Sequence, residues 1–175
     1  LINMMTINKF KIYTFLSIVF LLVSCTPDTI VNNTGETITT VKLLSKKLNK
    51  TFTFINVNNK LTSDTIFLPS SVSDTFQVSF YNETSGISKD ITPEITSEKN
   101  DHQIFFNASS DANIAFRYLD EDDNKFPIGL KVEVTTGGSS KGTLGVILKH
   151  QPDIKNGSQN IGSTDLDATF VLIIK

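Results

Sequence analysis

Residues 166–174 read LDATFVLII, and this stretch decides how the rest of the chain is interpreted. Apolar side chains occupy every second position from Leu166 to Ile174, with Phe170 at the centre. Successive side chains of a strand point to opposite faces of a sheet, so a period of two indicates a strand with one buried face. The stretch therefore predicts a β-strand that packs against a hydrophobic core.

The same alternation recurs along the chain towards the N-terminus. In residues 75–81 (TFQVSFY), Phe76, Val78 and Phe80 share one face, and Gln77 and Ser79 share the other. Gly, Pro, Asn and Asp separate such runs, as is typical of strands joined by turns. Further strands are predicted at 37–44, 51–57, 65–68, 103–107, 114–119, 130–134 and 143–150.

These nine short strands predict an all-β fold, because no window after residue 25 shows helical periodicity over three turns. We expect an antiparallel β-sandwich with immunoglobulin-like or Greek-key connections. The chain has 13 Phe and no Trp, so the core between the sheets is expected to consist largely of phenylalanine.

The polar segment 82–101 is expected to cross between the sheets and to carry one short strand near residues 91–95. The alternative is a linker between two small domains. It is less favoured, because the roughly 50 residues before the segment would form a thin core.

The N-terminal residues have the three parts of a bacterial lipoprotein signal peptide. Lys9 and Lys11 follow a start at Met4 or Met5, and residues 12–22 (IYTFLSIVFLL) form an apolar run of 11 residues. Such a run is too short to span a bilayer as a helix and is typical of a signal-peptide core. Residues 22–25 (LVSC) then match a lipobox. The alternatives are an ordinary signal peptide with an incidental Cys, or a buried helix.

This pattern predicts three regions: a lipoprotein signal peptide at 1–24, a lipidated Cys25 with a flexible tether at 25–36, and one β-sandwich domain at 37–175. Cys25 is the only cysteine, and lipidation explains why it has no disulfide partner. We therefore expect a cell-envelope protein that is attached to a membrane through acyl chains on Cys25. We interpret this membrane as the outer membrane.

The charge balance makes a nucleic-acid partner unexpected. The formal net charge is −2, and the mature chain is more negative, since the leader contributes only lysines. Arg117 is the only arginine, and the sequence has no basic run. Binding to phosphate backbones or to anionic lipid surfaces depends on clustered positive charge. The membrane contact is therefore expected to come from the lipid anchor.

The second half contains five distinctive segments: YNETSGISKDITPEI (81–95), DHQIFF (101–106), YLDEDDNKFPIGL (118–130), GTLGVILKHQPDIKNG (142–157) and STDLDATFVLIIK (163–175). These segments resemble a family of flavobacterial lipoproteins. Members share a lipobox, a Thr-rich β region, a D-x-D-x-N-G-x-P-I-G-L loop and a G-T-L-x-V-x-L-x-H-Q-P strand. Lys125 stands where the family loop usually has Gly. The family label, type 1 periplasmic binding fold, implies α/β halves, whereas the strand pattern here predicts β structure.

The two histidines, His102 and His150, are each followed by Gln and are each in phase with the apolar face of a predicted strand. Each is therefore expected at a strand end near a rim of the sandwich, on the side that faces the core; the pattern leaves open whether the two lie at the same end. Imidazoles placed in this way can bind a transition metal or a haem iron. The alternative is a pair of hydrogen-bonded histidines that cap the core.

The acidic segment 120–124 (DEDDN) offers oxygen ligands at Asp120, Asp122 and Asn124, the i, i+2, i+4 spacing of calcium loops. The turn glycine of an EF-hand is missing, and Lys131 stands where its bidentate Glu would be. We favour a solvated turn over a calcium site.

The glycine-rich segment 137–142 (GGSSKG) is not expected to bind phosphate, because a strand follows its lysine rather than a helix. We interpret it as a flexible hairpin. No G-x-S-x-G context accompanies the serines either.

These observations favour a lipid-anchored binding or accessory protein without catalytic activity, with an outer-membrane transporter as a possible partner class. The alternative is a lipoprotein that captures haem or a metal through His102 and His150. An envelope hydrolase ranks third.

Overall fold

The computed structural model describes residues 37–175, so the predicted signal peptide, Cys25 and the tether lie outside the described residues. This part of the chain contains mostly strand and one short helix. The elements are β1 (Thr40–Ser45), β2 (Lys50–Val57), β3 (Lys60–Ser63), β4 (Thr65–Leu68), β5 (Ser73–Asn82), β6 (Lys89–Asp90), α1 (Thr92–Ser97), β7 (His102–Ala108), β8 (Ile114–Tyr118), β9 (Lys131–Thr136), β10 (Ser140–His150) and β11 (Ser163–Ile174).

The strands form two sheets that pack as a sandwich, as the alternation predicted. One sheet has the order β3-β2-β1-β5-β9-β8, with β6 paired to β5, and the other has the order β4-β11-β10-β7. The chain changes sheet after β3, β4, β6, β7 and β9. The pairing is antiparallel, as expected, except between β4 and β11, which run parallel at the edge of the smaller sheet.

The core lies between the sheets and is rich in phenylalanine, as predicted. Phe54 of β2 packs against Phe170 of β11 across the two layers, with ring centroids 6.1 Å apart. The alternating residues of β11 are buried, from Leu166 through Ile174. The fully buried phenylalanines are Phe52, Phe76, Phe80 and Phe170.

The segment between β5 and β7 does cross between the sheets, and its one short strand, β6, lies at Lys89–Asp90 rather than at residues 91–95. Helix α1 occupies Thr92–Ser97, with Pro93 in its first turn. Proline suits this position, because an N–H there has no partner within the helix. Ile91 and Ile95, which are four residues apart, are both buried. A helix of six residues is too short to show a 3.6-residue period.

The interpretation of the glycine-rich segment also needs correction. The segment 137–142 is not a hairpin, because it joins β9 in one sheet to β10 in the other. The α/β halves that the family label implied do not occur in residues 37–175, where the described secondary structure is nearly all strand. Within the same residues, no helix has the length and apolar character needed to cross a bilayer.

Candidate functional site

The two histidines lie side by side at one end of the sheet that contains β7 and β10. His102 is paired with His150 in the register of these strands, at the last pair before the chain turns away. Their rings stack with centroids 4.6 Å apart and planes inclined by 12°. His102 is 2% exposed, and His150 is half-buried. The predicted placement at a rim, on the core side, is therefore confirmed.

Two carboxylates flank this pair, and neither was identified from the sequence. Glu98 is the C-cap residue of α1, and its Oε2 lies 3.7 Å from Nδ1 of His102. Asp165 lies on the opposite side, with Oδ2 3.4 Å from Nε2 of His102. We refer to Glu98, His102, His150 and Asp165 as the histidine rim.

A β-bulge aims Asp165 at the histidine. The pairing of β10 with β11 steps from Leu148↔Leu166 to Lys149↔Thr164, which leaves Asp165 as the extra residue. A bulge re-aims a side chain that simple alternation would place elsewhere. The Asp165 side chain is 9% exposed, so its carboxylate faces His102 in a largely dehydrated setting.

The electrostatics of the rim favour positive charge at His102. Burial acts to lower the pKa of His102, but the hydrogen bond and charge of Asp165, together with Glu98, outweigh burial and raise it. The His102 Nδ1 also lies 3.3 Å from the backbone carbonyl oxygen of Glu98. Groups that surround an imidazole in this way stabilise a cation on it.

A buried lysine ties the rim to the neighbouring loops. Lys155 donates hydrogen bonds to the carbonyl oxygens of Lys99 (2.8 Å) and His102 (2.7 Å). Its Nζ also lies 2.8 Å from Oδ2 of Asp122, with the two side chains 3% and 0% exposed. We call this arrangement the Lys155 clamp, because one ammonium group joins the residues after α1, the acidic loop and the β10–β11 loop.

Asp122 is fixed from both sides of its carboxylate. Its Oδ1 accepts hydrogen bonds from the backbone N–H groups of Asn124 (2.8 Å) and Phe126 (2.9 Å). Burial acts to raise the pKa of Asp122, but Lys155 and these two N–H donors outweigh it and lower the pKa. Asp122 is thus a charged group of the interior.

The buried Gln151 shapes the loop that carries Lys155. Its Nε2 donates to the carbonyl oxygens of Ser158 (2.7 Å) and Ile161 (3.0 Å). Its backbone N–H donates to the carbonyl oxygen of Asp101 at 2.6 Å. The residue after His150 therefore closes the β10–β11 loop against the segment that precedes His102.

The acidic loop was interpreted as a solvated turn, and this was wrong for Asp122, which is 2% exposed. The oxygens of Asp120 are also engaged, since they accept from the N–H groups of Gly129 (2.8 Å) and Lys131 (2.9 Å). Asn124 is exposed and lines a polar cleft of about 440 Å³ with Asp153. A calcium ion would have to compete with donors that already hold Asp120 and Asp122.

Calcium is therefore expected to leave the melting temperature of the protein almost unchanged. A site filled at 100 times its Kd would add about 2.7 kcal/mol, or roughly 5–11 °C for a domain of this size. The measurement is a pair of thermal melts, in chelator and in millimolar calcium. A rise above about 3 °C that disappears in Asn124→Ala would instead establish a calcium site.

Haem does not fit the histidine rim. A haem iron bound by two imidazoles lies between them, with a nitrogen of each ring pointing at the metal and the porphyrin filling the gap. Here the rings are in face-to-face contact at 4.6 Å, which leaves no gap for a porphyrin. A single metal ion is compatible, because one donor atom each of Glu98, His102 and His150 lies within 4.8 Å of the others.

Comparison with protein-family models, with curated proteins and with solved structures finds no match for this chain.

Proposed function

We propose that the protein is a lipid-anchored, non-enzymatic binding protein of the bacterial cell envelope, and that its ligand binds at the end of the sandwich formed by the histidine rim. Two features support localisation in the cell envelope: the lipobox at Cys25 and the resemblance of residues 81–175 to flavobacterial lipoproteins. The proposed protein partner is an outer-membrane transporter, a suggestion that rests only on the proposed localisation in the cell envelope.

The observation that carries the binding role is the concentration of buried polar and ionisable side chains at this end of the sandwich. His102, Asp122, Gln151 and the side chain of Lys155 are all almost fully buried there. Burying such groups costs free energy unless each one is paired, and apolar side chains would close a sandwich at lower cost. Perturbed ionisable groups cluster at functional sites. This end is therefore the best-supported binding site among residues 37–175.

A second candidate function is metal capture, which the grouping of Glu98, His102 and His150 favours specifically.

The anchoring part of the proposal is tested by Cys25→Ser in the full-length chain. The variant is expected to lose lipid labelling, to accumulate as an unprocessed precursor and to leave the membrane fraction, because attachment depends on acyl chains. Cell fractionation and incorporation of labelled palmitate are the measurements.

Ser24→Ala is the matched control, because it keeps a small residue before the cysteine and should be processed and anchored normally. Normal processing and unchanged membrane retention of Cys25→Ser would contradict the proposal.

A further inference from the structure

We propose that the histidine rim binds one divalent transition-metal ion of the zinc type, with Glu98, His102 and His150 as ligands and a fourth position open to water or to a ligand group from outside. The inference deepens the proposed binding function, on which it rests in part, by naming the class of ligand.

The donor set suits such an ion. Two imidazole nitrogens and one carboxylate oxygen are a common ligand set of zinc sites that keep an open position. Calcium and magnesium prefer oxygen ligands only, so two nitrogens make these ions poor candidates.

Binding of an ion requires the donor atoms to move closer together and the stacked rings of His102 and His150 to splay, so that a nitrogen of each ring points at the ion. Ligand distances of about 2.0–2.2 Å put donor atoms of a tetrahedral zinc site about 3.4 Å apart. The atoms offered by Glu98, His102 and His150 lie within 4.8 Å of one another. Glu98 has a 51% exposed side chain and His150 is half-buried, so both have room to close on the ion.

The fold holds His102 in the orientation that a metal ligand needs. Oδ2 of Asp165 lies 3.4 Å from Nε2 of His102, and Nδ1 on the other side of the ring faces Glu98. A metal-bound histidine typically donates its other N–H to a carboxylate, which fixes the ring and strengthens its basicity. The bulge in β11 supplies that carboxylate, and the ion would replace the contact between Nδ1 and the Glu98 carbonyl oxygen.

The local charges also suit a divalent cation. The carboxylates of Glu98 and Asp165 together balance two positive charges around His102. Lys155, a buried cation in the same region, is neutralised by Asp122 at 2.8 Å. Its Nζ contacts the backbone oxygen of His102 on the strand, whereas the ring of His102 faces the two acids.

The test uses the detergent-solubilised full-length protein without a histidine tag, stripped with chelator. Zn²⁺ alone is titrated by calorimetry, and Co²⁺ is followed by its visible absorption. We expect one ion per chain and the intense bands of a four-coordinate cobalt site. Asp165→Asn should weaken binding about 10–100-fold, the usual effect of losing such a second carboxylate. His150→Ala and Glu98→Gln remove direct ligands and should weaken binding at least as much.

Glu94→Gln is the matched control, because it makes the same change one turn earlier on α1, where the carboxylate pairs with Lys89. It should bind zinc like the parent. Glu98 is exposed, so Glu98→Gln should fold normally and remains informative if His150→Ala does not fold.

Absence of saturable one-to-one binding, or equal losses in Glu94→Gln and Glu98→Gln, would overturn the metal site. Lipid anchoring is tested separately by Cys25→Ser. Failure of the metal site would therefore not contradict the proposal that the protein is lipid-anchored in the cell envelope.

Discussion

Replacing Lys155 with Met is expected to lower the free energy of unfolding by about 3–5 kcal/mol, the usual effect of removing one partner of a buried ion pair. For a domain of this size the melting temperature should fall by roughly 6–20 °C. Methionine fills a similar volume, so the loss comes from the charge and the hydrogen bonds. Asp122 would remain buried without its partner, and two carbonyl oxygens would lose their donor. Thermal and denaturant unfolding measure the effect.

The matched control is Lys125→Met, the same substitution in the acidic loop. Lys125 forms an exposed ion pair with Glu121, and exposed pairs contribute little because water and salt screen them. We expect almost no change. Adding Asp122→Asn to Lys155→Met should restore part of the lost stability, because the remaining buried group is then neutral and its Oδ1 can still accept from Asn124 and Phe126.

The pH dependence gives an independent check on the same pair. The pKa of Asp122 is lowered on folding, so its stabilising contribution is present above the ordinary carboxyl pKa and is lost as the pH falls through the lowered value. The difference in stability between the parent and Lys155→Met should therefore shrink in acid. A variant that melts like Lys125→Met at neutral pH, or a difference that does not change with pH, would contradict the role of the clamp.

The strands could be predicted from the sequence because burial on one face leaves a visible period of two. All nine predicted strands exist, with ends shifted by a few residues. Strand β3 (Lys60–Ser63) was missed because all four of its residues are exposed, so no alternation marks it. Helix α1 and the parallel pairing of β4 with β11 depend on tertiary packing rather than on any local pattern.

The site could be predicted only in part. The phase of the alternation placed His102 and His150 on the core side of two strand ends, and the strand register then brings them together. Asp165 could not be found in this way, because a bulge breaks the period that the prediction uses. Glu98 and Lys155 lie in short connecting segments, and their positions near the rim follow from the packing of the whole chain. Asp122 looked solvated because nothing local reveals that Lys155 covers it.

Phe170→Ala is expected to have an effect as large as the loss of the clamp, about 3–5 kcal/mol. Phe170 is fully buried on β11 and packs on Phe54 of β2, so it joins the two sheets of the sandwich. Truncation removes its buried apolar surface and leaves a cavity, which the surrounding close-packed side chains fill only in part. The melting temperature should fall by roughly 6–20 °C.

Phe67→Ala is the matched control, since Phe67 lies on the neighbouring strand β4 and is 41% exposed. Its ring faces solvent and the Lys175 ammonium, at 5.3 Å from the ring centroid, so its loss should cost only about 1 kcal/mol or less. Comparison of denaturant midpoints at equal m-values separates the two variants. An equally small loss in the free energy of unfolding for Phe170→Ala and Phe67→Ala would mean that β11 does not bury the alternating apolar residues of 166–174. The interpretation of the fold that starts from these residues would then be wrong.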